Sequence, residues 1–360
     1  MKMEVLSIGQ ICSRFSSGKN ITAANIHEFG LYPVYGGNGL RGFTNSYNYD
    51  GECAIIGRQG AYCGNVKYVL GKSYMSEHAI VAVTNPNHNN RYFAYKLSLA
   101  KLGRFSGQAA QPGLSVTKLL RLKFEMPSRQ YQDRVASILS TYDSLIENNT
   151  KRIRLLEKMA ENLYEEWFVR FRFPGHENVK MVNGLPNGWK KGALSDVCEF
   201  KRGKNITSSE MKDGTIPVIS AGITPSGFHS HANVYGISVT MSSSGANAGY
   251  IAVHYSDIWA ADCSYIEEAS TPCIYYVYEL LNNIRSIINN FQRGAAQPHV
   301  YPKDINRIKM IIPSEDIRKK ANEKIGVIHR HIDNLQRQNS LLARQRDLLL
   351  PRLMSGKLEV

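Results

Sequence analysis

The chain has 360 residues, which is enough for two domains of ordinary size, each with its own core. It carries 44 Lys and Arg against 30 Asp and Glu, a formal charge of +14, and this excess predicts a polyanionic partner such as nucleic acid or a membrane surface. No stretch is apolar over the roughly 18 residues that a membrane-spanning helix needs, and residues 1–10 lack the apolar centre of a signal peptide. We therefore expect a cytoplasmic protein with no membrane partner.

An internal repeat organises the chain. The five residues 18–22 (GKNIT) recur as residues 203–207, and residues 109–112 (AAQP) recur as residues 295–298. Further pairs in the same order, such as 42–43 (GF) with 227–228, fill the space between these matches. Two copies of this length indicate a duplicated globular unit rather than a solenoid, whose repeats are far shorter.

Each copy begins with a region whose pattern is typical of short strands. Apolar runs such as residues 54–56, 78–83 and 237–240 lie between clusters of Gly, Asn and Pro. We therefore predict two mostly β domains, the first at residues 1–128 and the second, with its linker, at residues 174–313.

A helical pattern follows each β region, over residues 129–173 and over residues 314–360, which include the C-terminal tail. Apolar residues recur there with alternating spacings of four and three. The first series is Ile138, Tyr142, Leu145, Asn149, Leu156, Met159 and Leu163, and the second is Ile328, Ile332, Leu335, Asn339, Leu342, Leu349 and Leu353. Both series contain an Asn, and an Arg interrupts each of them, at Arg152 and at Arg346.

Neither helix can bury such a stripe by itself, so we expect the two helices to pair as a coiled coil. The order of the chain makes this pairing antiparallel and relates the two halves by a pseudo-two-fold axis. The predicted fold class is α+β, with two mostly β domains in tandem separated by two long helices. The alternative is two independent domains, each with its amphipathic helix packed on its own core.

Three short motifs complete the pattern: residues 166–168 (EWF), residues 185–189 (LPNGW) and residues 351–358 (PRLMSGKL). Together with the tandem domains and long helices, they make the chain resemble the specificity subunit of a type I restriction-modification enzyme over essentially its whole length. The resemblance implies that the β domains are target-recognition domains, that each reads one half of a bipartite double-stranded DNA site, and that the helices fix the gap and dock two methyltransferase subunits. It also implies that motor-nuclease subunits join the complex, and that S-adenosylmethionine, ATP and Mg are bound by the partner subunits and not by this chain.

The chain carries no complete catalytic motif of its own. Residues 85–88 (NPNH) lack the second Pro and the usual aromatic residue of an adenine methyltransferase loop, and the glycines of residues 57–64 match no nucleotide fingerprint. The six cysteines form no CxxC pair, and neither they nor the ten histidines have the spacing of metal ligands. We therefore expect a non-catalytic protein without a metal site.

The duplication sorts the candidate DNA contacts. Contacts to bases should differ between the two copies when the half-sites differ, whereas phosphate and scaffold contacts can be shared. The shared candidates for phosphate contact are Lys19, Asn20, Lys204 and Asn205, which are equally well explained as solvated turn residues. The unshared candidates for base contact are Arg41, Arg58, Gln59 and Arg104 in the first copy and Ser242, Ser243, Ser244, Asn247 and Arg293 in the second.

Three other functions stay open. A nuclease or methyltransferase is disfavoured because the carboxylate cluster and the methyl-donor motif are missing. A pure protein–protein adaptor has no reason to be so basic, and its binding would not weaken steeply with salt. A recognition subunit of a related bipartite-site restriction-modification system differs only in its partner subunit, which the sequence of this chain does not reveal.

Overall fold

The computed structural model describes residues 3–60, 62–107, 113–293, 298–358 and 360. The first half contains nine strands: β1 (Glu4–Ser7), β2 (Cys12–Ser17), β3 (Tyr32–Gly36), β4 (Gly39–Thr44), β5 (Glu52–Gly57), β6 (Val66–Leu70), β7 (Tyr74–Met75), β8 (Ala79–Thr84) and β9 (Lys123–Met126). Its helices are α1 (Ile8–Ile11), α2 (Asn90–Leu99), α3 (Val116–Leu120) and α4 (Arg129–Tyr164), and a π-helical turn, Glu165–Val169, follows α4.

The strands of the second half are β10 (Met181–Val182), β11 (Leu185–Pro186), β12 (Lys190–Ala193), β13 (Lys201–Arg202), β14 (Ile216–Ile219), β15 (Gly227–His229), β16 (Ser238–Ser242), β17 (Ile251–His254), β18 (Trp259–Ala260), β19 (Cys263–Glu267) and β20 (Lys309–Ile312). Its helices are α5 (Ile274–Asn283), α6 (Arg285–Asn289), α7 (Pro302–Ile305) and α8 (Glu315–Met354).

The chain forms two compact units. Unit 1 comprises residues 1–148 and 339–360, and unit 2 comprises residues 149–338. The segment boundaries predicted at 128/129 and 313/314 lie where α4 and α8 begin, whereas the division between the units falls inside both helices. Each long helix therefore contributes to two cores.

Both units have the same sheet topology. In unit 1 a four-stranded antiparallel sheet has the order β2-β8-β5-β6, a three-stranded sheet has the order β4-β3-β7, and β1 pairs with β9. The corresponding orders in unit 2 are β13-β19-β16-β17, β15-β14-β18 and β12 with β20. In both three-stranded sheets the short last strand runs parallel to the central one. This repetition confirms the predicted α+β fold with tandem mostly β domains.

The two long helices run antiparallel in each unit. In unit 1, Tyr131 Oη donates to Leu353 O at 2.9 Å, and further along α4 Asp143 pairs with Arg346 at 2.8 Å. In unit 2, Asn149 Nδ2 donates to Gln338 Oε1 at 3.4 Å, next to the expected position Asn339. The Arg346 interruption of the heptad pattern is therefore half of an ion pair between the helices.

The predicted seam is correct for α8 and wrong by one residue at alternate positions of α4. Ile332, Leu335 and Leu353 of α8 are buried as expected. On α4, however, Ile138, Leu145 and Met159 are 36%, 47% and 56% exposed. The residues turned inward are the next ones along the chain: Leu139 and Ala160 are buried, and Ile146 and Ile153 are half-buried.

The core of each unit includes residues from one end of α4 and from one end of α8. In unit 1 the start of α4, with Val135 and Leu139, packs in the same cluster as Leu353 and Met354 from the end of α8. The helix thus packs on its own domain, as the alternative fold supposed, and also pairs with the other long helix.

In unit 2 the π-helical turn after α4 places Trp167 and Phe168 in the core with Tyr276 and Trp189. Phe168 lies 4.9 Å from Tyr276 between ring centroids, and Phe173 stacks on Trp189 at 5.5 Å. The EWF and LPNGW motifs are therefore the aromatic core where α4 joins the second domain.

Candidate DNA interface

One end of the four-stranded sheet in unit 1 carries a group of polar side chains, where β2 and β5 end and β8 begins. Arg58 Nη1 donates to Ser17 Oγ at 3.3 Å, across the start of β8. Gln59 Oε1 lies 3.1 Å from His78 Nδ1, and His78 Nε2 lies 2.9 Å from a carboxylate oxygen of Glu77. We call these five residues the unit 1 sheet-end cluster.

The same end of the sheet in unit 2 carries a different group. Arg202 Nη2 lies 2.9 Å from Asp262 Oδ1, and Ser244 Oγ donates to Asp262 Oδ2 at 2.6 Å. Ser243 lies beside them, with its Oγ 3.5 Å from Ser264 Oγ. Arg202, Ser243, Ser244 and Asp262 form the unit 2 sheet-end cluster.

Strand register shows that the two clusters occupy equivalent places. Ser17 lies opposite Ile80, and Arg202 lies opposite Ser264, one residue after the start of β8 and of β19 respectively. The next residue is in both cases a glycine, whose N–H bonds to Ala79 O in unit 1 and to Cys263 O in unit 2. One scaffold position therefore holds a serine in unit 1 and an arginine in unit 2.

The β3–β4 hairpin borders the unit 1 cluster. A Cβ added at Gly37 would lie 3.1 Å from Gln59 O and 3.5 Å from His78 O, so the hairpin tip lies directly against the cluster. Arg41 of β4 packs across Gly36, and Lys67 of β6 packs against Gly39.

Arg104 lines a surface cleft together with Lys67 and Lys101. The cleft and the hairpin share Lys67, which connects Arg104 to the hairpin side of unit 1. The structure thus brings the unit 1 candidates Arg41, Arg58 and Gln59 together around the β3–β4 hairpin. Arg104 lies in the cleft beside the hairpin, which it shares with Lys67.

The repeated GKNIT motif has a backbone explanation. Lys19 N donates to Met75 O, and Lys204 N donates to Ala260 O, both at 2.9 Å. A Cβ at Gly18 would lie 2.2 Å from Met75 O, and one at Gly203 would lie 2.4 Å from Ala261 O, so only glycine allows this close approach. The side chains of Lys19, Asn20, Lys204 and Asn205 are exposed. The glycines are scaffold, and the four exposed side chains remain candidates for phosphate contact.

The three serines of unit 2 differ from their predicted role. Ser242, Ser243 and Ser244 are 3%, 0% and 5% exposed, and Ser242 Oγ donates to Ala221 O at 2.9 Å. Their hydroxyls bond inside the protein: β16 ends at Ser242, and Ser243 and Ser244, which follow the strand, contact Ser264 and Asp262. They are structural residues of the sheet end and not exposed loop contacts.

The last two unit 2 candidates lie near the sheet end. Asn247 is half-buried in a 3-10 turn, Gly245–Asn247, that follows the serine run. Arg293 is exposed and pairs with Asp304 at 3.0 Å. It also bridges to His299, as Gly107 bridges to Gly113 in unit 1, so its structural counterpart is Gly107 and not Arg104. The repeated AAQP segments lie outside the described residues except for Pro298.

Sequence reasoning missed Arg202 and Asp262. A signal for Arg202 was present: it directly precedes the repeated motif and stands where the first copy has Ser17, so it is one of the positions that differ between the copies. Within the described residues, no group of three or more His, Cys, Asp or Glu side chains is placed to hold a metal ion. Among the helices of the described ranges, none combines the length and apolarity needed to cross a membrane.

A duplicated scaffold with a different polar cluster on each copy defines a two-domain recognition protein. Residues 1–158 and 186–344 match the family described as the type I restriction modification DNA specificity domain. The chain therefore belongs to this family, as the resemblance in its sequence predicted.

Similar proteins extend this finding. The chain is 38% identical over 160 residues to the type I restriction enzyme EcoprrI specificity subunit of Escherichia coli, covering 43% of this chain and 40% of that protein. It is 26% identical over 300 residues to the type I restriction enzyme MjaIX specificity subunit of Methanocaldococcus jannaschii, covering 75% and 68%. The alignments thus span between two fifths and two thirds of these relatives.

A crystal structure of the S subunit of a type I restriction-modification system from M. genitalium has the same fold. Its TM-score to this chain is 0.67 at 19% sequence identity, and the match covers 98% of this chain and 96% of that one. At this identity the similarity concerns the fold alone.

Proposed function

We propose that this chain is the DNA-recognition subunit of a type I restriction-modification complex, and that each unit reads one half of a bipartite double-stranded site. The observation that carries the proposal is the pair of sheet-end clusters: one scaffold, used twice, presents different polar groups at the same place. Base contacts must differ between copies that read different sequences, while the scaffold stays the same. The formal charge of +14 supplies the general attraction to phosphates.

The helices α4 and α8 set the gap between the half-sites and dock two methyltransferase subunits in this proposal. The two helices are 36 and 40 residues long. They also expose apolar side chains that their own pairing does not cover. Leu155 and Met159 of α4 are 67% and 56% exposed, and Leu341 and Leu348 of α8 are both 59% exposed. Leu155 and Met159 are four residues apart and therefore lie on the same face of α4, and adjacent exposed apolar groups of this kind are typical of a surface that binds another protein.

Catalysis belongs to the partner subunits in this proposal. The methyltransferase subunits bind S-adenosylmethionine, and the motor-nuclease subunits that join for cleavage bind ATP and Mg. The chain itself is non-catalytic, binds no cofactor and works in the cytoplasm. Assignment to a related bipartite-site system would change the partners and leave the role of this chain the same.

The experiment is methylation mapping of DNA treated with the complex of this chain and its methyltransferase subunits. We expect methylated adenines within one bipartite motif that has a fixed gap. The same DNA treated with this chain alone should remain unmethylated. Methylation without sequence preference, or DNA binding by the complex that does not weaken with salt, would contradict the proposal and favour an adaptor.

A further inference from the structure

Both units place a guanidinium at the same end of the four-stranded sheet, although the two arginines come from different strands. In unit 1 the arginine is Arg58, at the end of β5, which reaches across to Ser17 at the end of β2. In unit 2 it is Arg202, on β13, the counterpart of β2. The residue equivalent to Arg58 in that unit is the fully buried Ser243. An arginine therefore lies at this end of the sheet in both units, although the two arginines occupy different positions of the repeated scaffold.

The surroundings of Arg202 distinguish a base contact from a phosphate contact. Asp262 uses one carboxylate oxygen for Arg202 and the other for Ser244, so the carboxylate is fixed and holds the guanidinium in one orientation. The pair is close to neutral, which makes it a poor anchor for a phosphate. The Arg202 side chain is nevertheless 46% exposed. Since a guanidinium has five N–H donors, donors remain free for a neutral planar acceptor pair.

We infer that Arg202 reads a base edge in the half-site recognised by unit 2, that the base is a guanine accepting through O6 and N7, and that Asp262 is a positioning residue for it. Arg58 takes the same role in unit 1. Arginine forks bidentately onto guanine in the major groove, and a held guanidinium loses less entropy when it does so. This inference rests on the proposed function, because it requires that the units read DNA.

The test replaces Arg202 by Lys in the complex with methyltransferase subunits and maps methylation by the variant. Lys keeps the charge and loses the fork. We expect the preference for one base pair of one half-site to fall about 10- to 100-fold, the equivalent of about 1.4–2.8 kcal/mol, with the gap and the other half-site unchanged. R58K should relax one base pair of the other half-site. D262N should relax the same base pair as R202K, which a purely structural aspartate would not do.

The control is R285K, since the exposed Arg285 of α6 lies in the same unit over the Tyr250 ring, 5.3 Å from its centroid. Its methylation pattern should equal that of the wild type. If the wild type shows a bipartite motif and R202K shows the same motif with the same preferences, the inference is wrong and the proposed function stands. A second variant, R202A, removes the charge: a uniform loss of binding at all sequences in R202A, with the salt dependence reduced by about one phosphate, would make Arg202 a phosphate contact and also overturn the inference. If the wild type itself shows no bipartite motif, the proposed function fails first.

Discussion

His329 of α8 and Glu279 of α5 form a buried polar pair in unit 2. Nε2 of His329 lies 3.1 Å from Oε1 of Glu279, and the side chains are only 2% and 5% exposed. The other ring nitrogen of His329 lies 2.8 Å from Tyr255 Oη, and the ring stacks on Tyr275 at 5.0 Å. Glu157 of α4 interacts electrostatically with the same histidine, and burial raises the pKa of its carboxyl. The pair therefore holds α8 against α5 in a nearly dry environment.

We expect H329A to destabilise unit 2 by about 3–5 kcal/mol, because it leaves the Glu279 carboxylate buried without its partner. All three tryptophans, Trp167, Trp189 and Trp259, belong to unit 2, so their fluorescence during urea unfolding reports on this unit. The double variant E279M/H329L replaces both polar groups by apolar ones and should be more stable than H329A alone.

The matched comparison for this pair is D143A in unit 1. Asp143 pairs with Arg346 with both side chains 28% exposed, and its other carboxylate oxygen accepts from Tyr95 Oη, so its loss should cost about 1–2 kcal/mol. D143A should shift the unfolding transition of unit 1, which circular dichroism detects, and should leave the tryptophan transition of unit 2 unchanged. If H329A costs no more than D143A, or if the double variant is as unstable as the sum of its single changes, the buried His329–Glu279 contact does not contribute the expected stability.

The stability of unit 2 should depend on pH through His254. Burial lowers the pKa of its imidazole from 6.5 to about 4 in the folded protein, where Nε2 lies 2.8 Å from Thr240 Oγ1. A lowered pKa means that the unfolded state binds the proton more readily, so this contribution to stability is full above pH 6.5 and falls as the pH drops towards 4. H254Q should therefore lose less stability than the wild type between pH 7.5 and pH 5, measured by tryptophan fluorescence in urea. H331Q, at an exposed position of α8, serves as the control and should keep the wild-type pH dependence. Equal losses in H254Q and wild type would contradict the prediction.

The sequence predicts the features of this structure that residue spacing determines, and it misses those that depend on contacts between residues distant in sequence. The repeat, the tandem β domains and the register of α8 follow from spacing alone. On α4, Leu145 and Ile146 are both apolar, so spacing does not determine which of them faces inward. For a related reason the sequence does not reveal the burial of Ser242 to Ser244: a serine run beside glycines is typical of a loop, and its burial depends on contacts with Ala221, Asp262 and Ser264, which are distant in sequence. The arginine site at the sheet end depends on contacts between strands distant in sequence.

The exposed apolar residues of α4 lead to a prediction about assembly. L155D/M159D places two charges on the proposed methyltransferase-docking surface, where burial of the two side chains would contribute about 3–6 kcal/mol. We expect affinity for the methyltransferase subunit to fall by on the order of 100-fold or more, measured by titration calorimetry or co-purification. DNA binding by the chain itself and its circular dichroism spectrum should not change.

The matched control for docking is M181D/V182D, since these residues of β10 are 56% and 51% exposed in the same unit and lie outside the helices. This variant should retain the methyltransferase subunit. Retention by L155D/M159D as well would mean that the subunit docks on another surface.

The long helices should act as a ruler between the half-sites. Seven residues inserted into α4 after Asn148, and seven into α8 after Gln338, fall where the two units divide. Such heptads keep the inward-facing positions in phase, because the apolar pattern repeats every seven residues. They lengthen the paired helices by roughly 10 Å at a rise of 1.5 Å per residue. Since DNA rises about 3.4 Å per base pair, the gap should grow by up to about three base pairs, and by fewer if the helices lie oblique to the duplex. Both half-site sequences should stay the same, because neither sheet-end cluster is altered.

Methylation mapping of the lengthened variant in its complex measures the gap directly. A variant that lengthens α4 alone lacks the corresponding insertion in α8, so the two helices cannot pair as before. This variant should lose activity, and it serves as the control for the paired insertion. An unchanged gap in a folded, active protein would mean that the helices do not set the spacing.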